Sequence, residues 1–222
     1  MERRDSESLT NDIIADLAET KERLAHYAFS DHRLLADARR PIDDTPLAAL
    51  LYITASLGRY RSEELVPAGA ALELLRLAVA AHYPDPRKGV VDRSSFRLIS
   101  ADYFYARAIM VAGALGNGRV IEHMVRAIAD VASANARDSK RDADEGASGG
   151  GHVSLFKAAV AIGSLLSDCP APALAPLNAY AKTLGGSDEA EPDAHTLAGL
   201  DAFPLSQKRL LEELVLSPLA KM

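Results

Sequence analysis

The chain has 222 residues, of which 48% are hydrophobic and 25% are charged. This composition is that of an ordinary folded domain, and it excludes an intrinsically disordered chain and a collagen-like one. The formal net charge of −6 argues against a protein that coats nucleic acid, because neutralising phosphate groups requires a basic surface. The single cysteine, Cys169, excludes a disulfide framework and a cysteine-based zinc site, and it fits a reducing cytosol.

The sequence also lacks segments that would carry the chain to or across a membrane. Residues 1–10 are charged and do not contain the apolar run of a secretion signal. The longest strongly apolar runs, near 45–58 and 158–167, are shorter than the roughly 20 residues that span a bilayer. We therefore expect a cytoplasmic protein with no membrane span and no nucleic-acid partner.

Apolar residues recur at helical spacing along nearly the whole chain, and the alternation typical of strands is absent. The pattern therefore predicts an all-α protein. No repeat of about 20 to 50 residues occurs, so one helical bundle over 1–222 is favoured over a solenoid. In chain order, helices are predicted over 11–29, 31–40, 46–58, 67–82, 92–115, 119–135, 152–167, 173–184 and 206–216, with a flexible, glycine-rich and charged loop at 137–151.

Local signals within these helices give more specific expectations. Thr45 is the predicted N-cap of the third helix, Pro67 is predicted to open the fourth, and Gly116-Asn117-Gly118 predicts a turn. In the first helix the acidic side chains are expected to face solvent, opposite an apolar stripe. The acidic residues are Asp12, Asp16 and Glu19, and the stripe is Ile13, Ile14, Leu17, Leu24 and Ala28.

The common catalytic motifs are absent from the sequence. It contains no glycine-rich phosphate loop, no HExxH helix and no paired cysteines. A magnesium–diphosphate site needs several carboxylates on one helix face, typically at positions i, i+1 and i+4. Four adjacent carboxylate pairs occur, and none has an acid at i+4: Asp43-Asp44, Glu63-Glu64, Asp188-Glu189 and Glu212-Glu213.

The order of segments over roughly 35–185 resembles that of the trans-polyprenyl diphosphate synthases. LVPAGAALELLRLAVAAH, 65–82, is similar to the helix that precedes the DDxxD motif of that family, and Arg-Lys-Gly at 87–89 is similar to the Arg-Arg-Gly that follows it. Asp102-Tyr103 falls in a helix similar to the family's Gly-Asp-Tyr-Leu helix, and 151–166 resembles its KTASLF helix. The resemblance implies a single isoprenoid-synthase bundle with its core over 10–184, truncated at the C-terminal end, where 185–222 diverge.

The chain departs from the family where the family binds magnesium and diphosphate. After His82, where the family has DDxxD, Asp85 is the one remaining acid; Gly-His at 151–152 replaces the family's Lys-Thr pair. The segment 186–200 does not reproduce the second Asp-rich motif. The family's reaction ionises an allylic diphosphate, and losing even one preorganised electrostatic group commonly costs about 3 to 4 kcal/mol in the transition state. The resemblance therefore implies no catalytic residues, no metal site and no cofactor in this chain.

These departures predict a non-catalytic, small or regulatory subunit that supports a catalytic polyprenyl diphosphate synthase, with Mg²⁺ expected only in that partner. A homodimer is the alternative assembly. In the family the helices corresponding to 95–115 and 119–133 form the dimer interface. The interface residues expected here are Phe96, Ile99, Asp102, Tyr103, Phe104, Tyr105, Met110 and Met124. For Phe96, Tyr103 and Met110 the competing interpretation is packing in this chain's own core, whereas Phe104 and Tyr105 favour an interface.

Several other interpretations stay open. Arg87, Lys88 and Arg93 are candidates for contact with a diphosphate or a partner, or they solvate a helix end. The chain could instead be an active prenyl diphosphate transferase with a relocated metal site that uses Asp85, Asp102 and acids of 138–145. It could also be a helical scaffold or binding protein. Cys169 has no cationic neighbour in sequence, so a buried, inert thiol is expected.

Overall fold

A computed structural model describes the chain at residues 6–29, 42, 44–83, 95–138, 150–185, 203 and 208–209. These residues contain seven helices and no strand, which confirms the all-α prediction. The helices are α1 (Ser6–Phe29), α2 (Pro46–Ala55), α3 (Ser62–His82), α4 (Ser95–Ala114), α5 (Gly118–Asp138), α6 (Gly150–Ser167) and α7 (Ala171–Gly185). The predicted helices at 31–40 and 206–216 lie outside the described residues, apart from 208–209, which are helical. The predicted loop at 137–151 also lies outside the described residues, except for its ends at 137–138 and 150–151, which are helical.

Two helices form the centre of the bundle. The first, α3, packs against α1, α2, α4, α5 and α6, and the second, α6, packs against α2, α3, α5 and α7. Small residues allow these close approaches: a Cβ added at Gly163 of α6 would lie 2.6 Å from the carbonyl oxygen of Leu51 in α2. All ten residues of α2 are buried, as expected for a helix that is apolar on every side.

The N-terminus of α2 is capped by a carboxylate from another helix. Thr45 is the N-cap residue and Pro46 opens the helix, as predicted, but the Thr45 side chain makes no cap hydrogen bond. The backbone N–H groups of Leu47 and Ala48 instead donate to Oε1 of Glu73 in α3, at 2.7 and 3.0 Å. Glu73 is fully buried, and its Oε2 accepts a hydrogen bond from Arg76 Nε at 2.5 Å. Because this cap is 26 residues from Leu47, a search for local cap signals does not find it.

Pro67 does not open α3 as predicted. The helix starts at Ser62, and Pro67 lies inside it, where a proline removes one backbone hydrogen bond. The predicted turn after α4 is confirmed, with Gly116 at φ +67°. Asn117 reinforces this turn by accepting a hydrogen bond from the backbone N–H of Arg119 at 3.1 Å.

The acidic side of α1 is not uniformly solvated. Asp16 is buried, and its Oδ2 accepts a hydrogen bond from the Tyr60 hydroxyl at 2.8 Å. Burial, followed by this hydrogen bond, raises the pKa of Tyr60 above its usual range. The predicted apolar stripe also needs one correction, because Ile14 is 52% exposed while its other members are buried. The sequence pattern placed both residues correctly on α1 but not relative to the neighbouring helices.

Among the described helices, α3 alone is long and apolar enough to cross a membrane by length and composition. Sixty-seven per cent of its most apolar window is buried inside the protein. A buried core helix passes the same test, and α3 is such a core helix here, since five other helices pack around it.

Candidate functional site

The C-terminal end of α3 is where the resemblance locates the first magnesium motif. Here His82 Nε2 lies 2.9 Å from Oδ1 of Asp102 in α4. The His82 ring also packs against Tyr83 and Tyr105, with centroids 5.8 and 5.3 Å away. Burial raises the pKa of Tyr105 to about 12, and Tyr83 and Asp102 act in the same direction. This end of the described structure is therefore an aromatic cluster with one carboxylate.

The described side chains do not fit a magnesium–diphosphate centre. Magnesium prefers octahedral oxygen ligands, with carboxylates held toward one point. Asp102 is hydrogen bonded to His82, and within the described residues no three His, Cys, Asp or Glu side chains come close enough to hold a metal ion. The other residues proposed for a relocated metal site or for diphosphate contact, Asp85, Arg87, Lys88, Arg93 and the acids of 139–145, lie outside the described residues.

The most unusual surface of the described structure is the outward face of α4. This face consists of Phe96, Ile99, Ala106, Met110 and Gly113, all of which are exposed and spaced at three, four or seven residues, so they share one side of the helix. Ile99 is 66% exposed and Met110 is 63% exposed. Asp102 lies at its edge, with its side chain 73% exposed.

The inward side of the same helix carries smaller residues. It consists of Ser100, Ala101, Phe104, Ala108 and Ala112, all buried. These small side chains let α4 pack closely on α3, which is itself rich in alanine. Consequently α4 exposes Ile99 and Met110 to solvent while alanines make up most of its buried side, the reverse of the usual amphipathic arrangement. Ile109 and Val111 of the same helix are half-buried against the core.

Two of the predicted interface residues belong to this chain's core instead. Phe104 is 8% exposed and packs edge-to-face on Phe29, with centroids 6.3 Å apart. Met124 of α5 is fully buried. Phe104 and Met124 are therefore not surface residues of this chain. The sequence favoured Phe104 as an interface residue and the core for Phe96 and Met110, whereas the structure buries Phe104 and exposes Phe96 and Met110.

The two remaining aromatic candidates are half-buried at the edges of the outward face. The Tyr103 hydroxyl donates a hydrogen bond to the carbonyl oxygen of Tyr27 at 3.3 Å, and the Arg107 guanidinium lies 5.9 Å from the Tyr103 ring centroid. Tyr105 packs on His82. The predicted interface residues do not include Leu98 and Val125, which are 49% and 50% exposed. Helical spacing places Val125 on α5 but does not give its position relative to the core.

No protein-family model matches the chain, and no curated protein sequence matches it. Solved structures do match. A decaprenyl diphosphate synthase from Rhodobacter capsulatus superposes with a TM-score of 0.63 and 17% identity, over 98% of this chain and 87% of that one. A polyprenyl synthase from Caulobacter crescentus CB15, complexed with calcium and isoprenyl diphosphate, superposes with a TM-score of 0.63 and 18% identity. The chain has the fold of the trans-polyprenyl diphosphate synthases.

One of the matching structures is named as the small subunit of a synthase. The geranyl diphosphate synthase small subunit from Antirrhinum majus superposes with a TM-score of 0.53 and 15% identity, over 100% of this chain and 94% of that one. By contrast, the chain spans only 63% of the Caulobacter synthase. Identities this low establish a shared fold but not a shared activity or a shared partner.

Proposed function

We propose that this chain is a non-catalytic subunit of a heteromeric polyprenyl diphosphate synthase in isoprenoid biosynthesis, and that it binds a catalytic subunit through the outward face of α4. The observation that carries this proposal is the inverted arrangement of α4, with Ile99 and Met110 exposed and alanines buried. A contiguous exposed apolar surface is typical of a protein interaction site.

Burial of this face would stabilise an assembly. Removing apolar surface from water contributes roughly 25 cal/mol per Å², so covering Ile99 and Met110 favours association by a few kcal/mol in total, before the entropy cost of association is subtracted. The resemblance supports the location, because the corresponding helix forms the dimer interface in the synthases. The small residues Ala106 and Gly113 on the same face allow a partner helix to approach closely.

We infer the lack of catalysis from the side chains that are available to bind a metal ion or a diphosphate. The sequence has one acid, Asp85, where the family has DDxxD, and the end of α3 holds the His82–Asp102 pair and two tyrosines. Stabilising a departing diphosphate requires several fixed cations or metal ions. A homodimer would lack the metal ligands in both halves, so we infer that the productive assembly is a heteromer whose catalytic subunit binds Mg²⁺. We place this assembly in the cytoplasm.

The proposal is tested by co-expression with a DDxxD-bearing polyprenyl diphosphate synthase from the same organism. We expect the two chains to copurify and the product length or rate of the partner to change, with magnesium, isopentenyl diphosphate and an allylic primer as substrates. The isolated chain should show no turnover. The double variant Ile99→Glu/Met110→Glu should weaken the association at least 100-fold. Ile14→Glu is the matched control, because Ile14 is similarly exposed but lies on α1.

Three results would contradict the proposal. The first is magnesium-dependent prenyl transfer by the isolated chain. The second is the absence of copurification with every DDxxD-bearing synthase of the organism. The third is an equal loss of association in the Ile14→Glu control, since this would show that the outward face of α4 has no special role.

A further inference from the structure

A groove lies between α5 and α7, at the end of the bundle opposite His82. Both helices pack against α6, so α6 forms the floor of the groove and α5 and α7 supply its walls. The turn at Asp168–Cys169 closes one end. The start of α3 is at this same end, since Arg61 donates a hydrogen bond to the carbonyl oxygen of Leu166 at 3.1 Å.

The groove is open to solvent and large enough to hold a small molecule. Its volume is about 540 Å³, within the range of roughly 300 to 1,000 Å³ that such sites occupy. Apolar side chains from the floor and one wall line one part of it, namely Val160, Leu165 and Leu174. Arg119 and His123, from the opposite wall, line the rest together with a few small polar groups.

Arg119 and His123 are the two groups available to a ligand. Within the part of the chain that the structure describes, neither side chain makes a hydrogen bond or an ion pair, whereas Arg126 on the same helix pairs with Glu122 at 2.9 Å. Burial lowers the pKa of His123; Glu122 opposes this effect, and Arg126 and Arg119 act in the same direction as burial. This lowered pKa favours the neutral imidazole, which donates through one ring nitrogen. The nearby carboxylate of Asp168 is paired with Arg59, which offsets its repulsion of an anion.

We propose that this groove binds a small amphiphilic anion, with its phosphate or carboxylate head on Arg119 and His123 and its aliphatic tail against the half-buried Leu165 and Leu174. An arginine fork suits an anionic oxygen pair, and charge-assisted hydrogen bonds of this kind are the stronger ones. The site is independent of the outward face of α4 and of any partner, so it would be present in the isolated chain.

Calorimetric titration of the isolated chain without magnesium tests the proposal with three probes: geranyl diphosphate, octanoate and inorganic pyrophosphate. We expect at least one of the two amphiphiles to bind at least tenfold more tightly than pyrophosphate, because pyrophosphate has no tail. The amphiphile that binds more tightly identifies the head group. Arg119→Gln should weaken this binding at least tenfold, while Arg137→Gln, which removes an exposed charge from the last turn of the same helix, should change it less than twofold.

A second readout separates the groove from binding at the other end of the bundle. A bound anion favours the imidazolium, so saturation should raise the pKa of His123, as followed by NMR of its ring protons. The proposal is overturned if neither amphiphile binds at millimolar concentration, if Arg119→Gln binds as tightly as the wild type, or if the His123 resonances do not respond to the ligand.

Discussion

Helices α2 and α4 are both apolar in sequence, yet the structure uses them in opposite ways. All of α2 is buried, between α3 and α6. In α4 the buried residues are mostly alanines, while Ile99 and Met110 are more than 60% exposed. Because α2 has neighbours on several sides and α4 packs mainly on α3, the number of neighbouring helices decides which apolar residues form the core.

The apolar side chains of α2 and α4 therefore contribute differently to the free energy of unfolding of the isolated chain. In α2 the apolar side chains contribute to the folding of the isolated chain, and a buried Leu contributes about 2 to 5 kcal/mol by truncation. On the outward face of α4 the apolar side chains contribute little until something covers them. Stability measurements on the isolated chain therefore distinguish a core helix from a helix reserved for association.

The largest expected effect concerns the cap of α2. Glu73→Ala removes the acceptor for the backbone N–H groups of Leu47 and Ala48 and leaves Arg76 without one of its two carboxylates. Breaking a buried ion pair in this way costs about 3 to 5 kcal/mol, so the denaturant midpoint should fall strongly. Glu64→Gln is the control, because Glu64 pairs with Arg61 at the surface and should cost less than about 1 kcal/mol. A Glu73→Ala loss as small as the control's would show that α2 does not need this cap.

An intermediate effect is expected from high pH. Burial raises the pKa of Tyr52 in α2 above its usual range and that of Tyr105 in α4 to about 12. A phenol whose pKa is raised by folding stabilises the native state while it is protonated, and this contribution is lost as pH rises above the unfolded value of about 10. The free energy of unfolding should therefore fall above pH 10.

The two tyrosines should differ in this pH dependence. Because Tyr105 titrates at about 12 in the folded state, Tyr105→Phe should flatten the slope only between pH 10 and about 12. Tyr52→Phe should flatten it over the whole accessible alkaline range, since Tyr52 is completely buried. Urea unfolding at several pH values measures both slopes. Equal slopes in both variants would contradict the difference in burial between α2 and α4.

The sequence predicted the features that depend on neighbours along the chain. The helices and the turn at Gly116 follow from spacing and from a glycine that adopts a positive φ. The start of α3 at Ser62 rather than at Pro67 is a local boundary error. The other errors concern contacts between distant residues: the Glu73 cap of α2, the burial of Asp16 by Tyr60 and the burial of Phe104 by Phe29. Each required knowing which helices are neighbours, which periodicity within one helix does not contain.

The smallest effect, and the most informative one for α4, is expected at Ile99. In the isolated chain Ile99→Ser should change the free energy of unfolding by less than about 0.5 kcal/mol, because this side chain is already in water. Leu50→Ala in α2, where Leu50 is fully buried, should cost about 2 to 5 kcal/mol. Urea unfolding of both variants at a low protein concentration measures this contrast. If Ile99→Ser destabilises the chain as strongly as Leu50→Ala, the outward face of α4 is covered by this chain itself and is not available to a partner. If it is neutral alone but weakens association with a catalytic synthase, the apolar side chains of α4 stabilise the assembly rather than the fold.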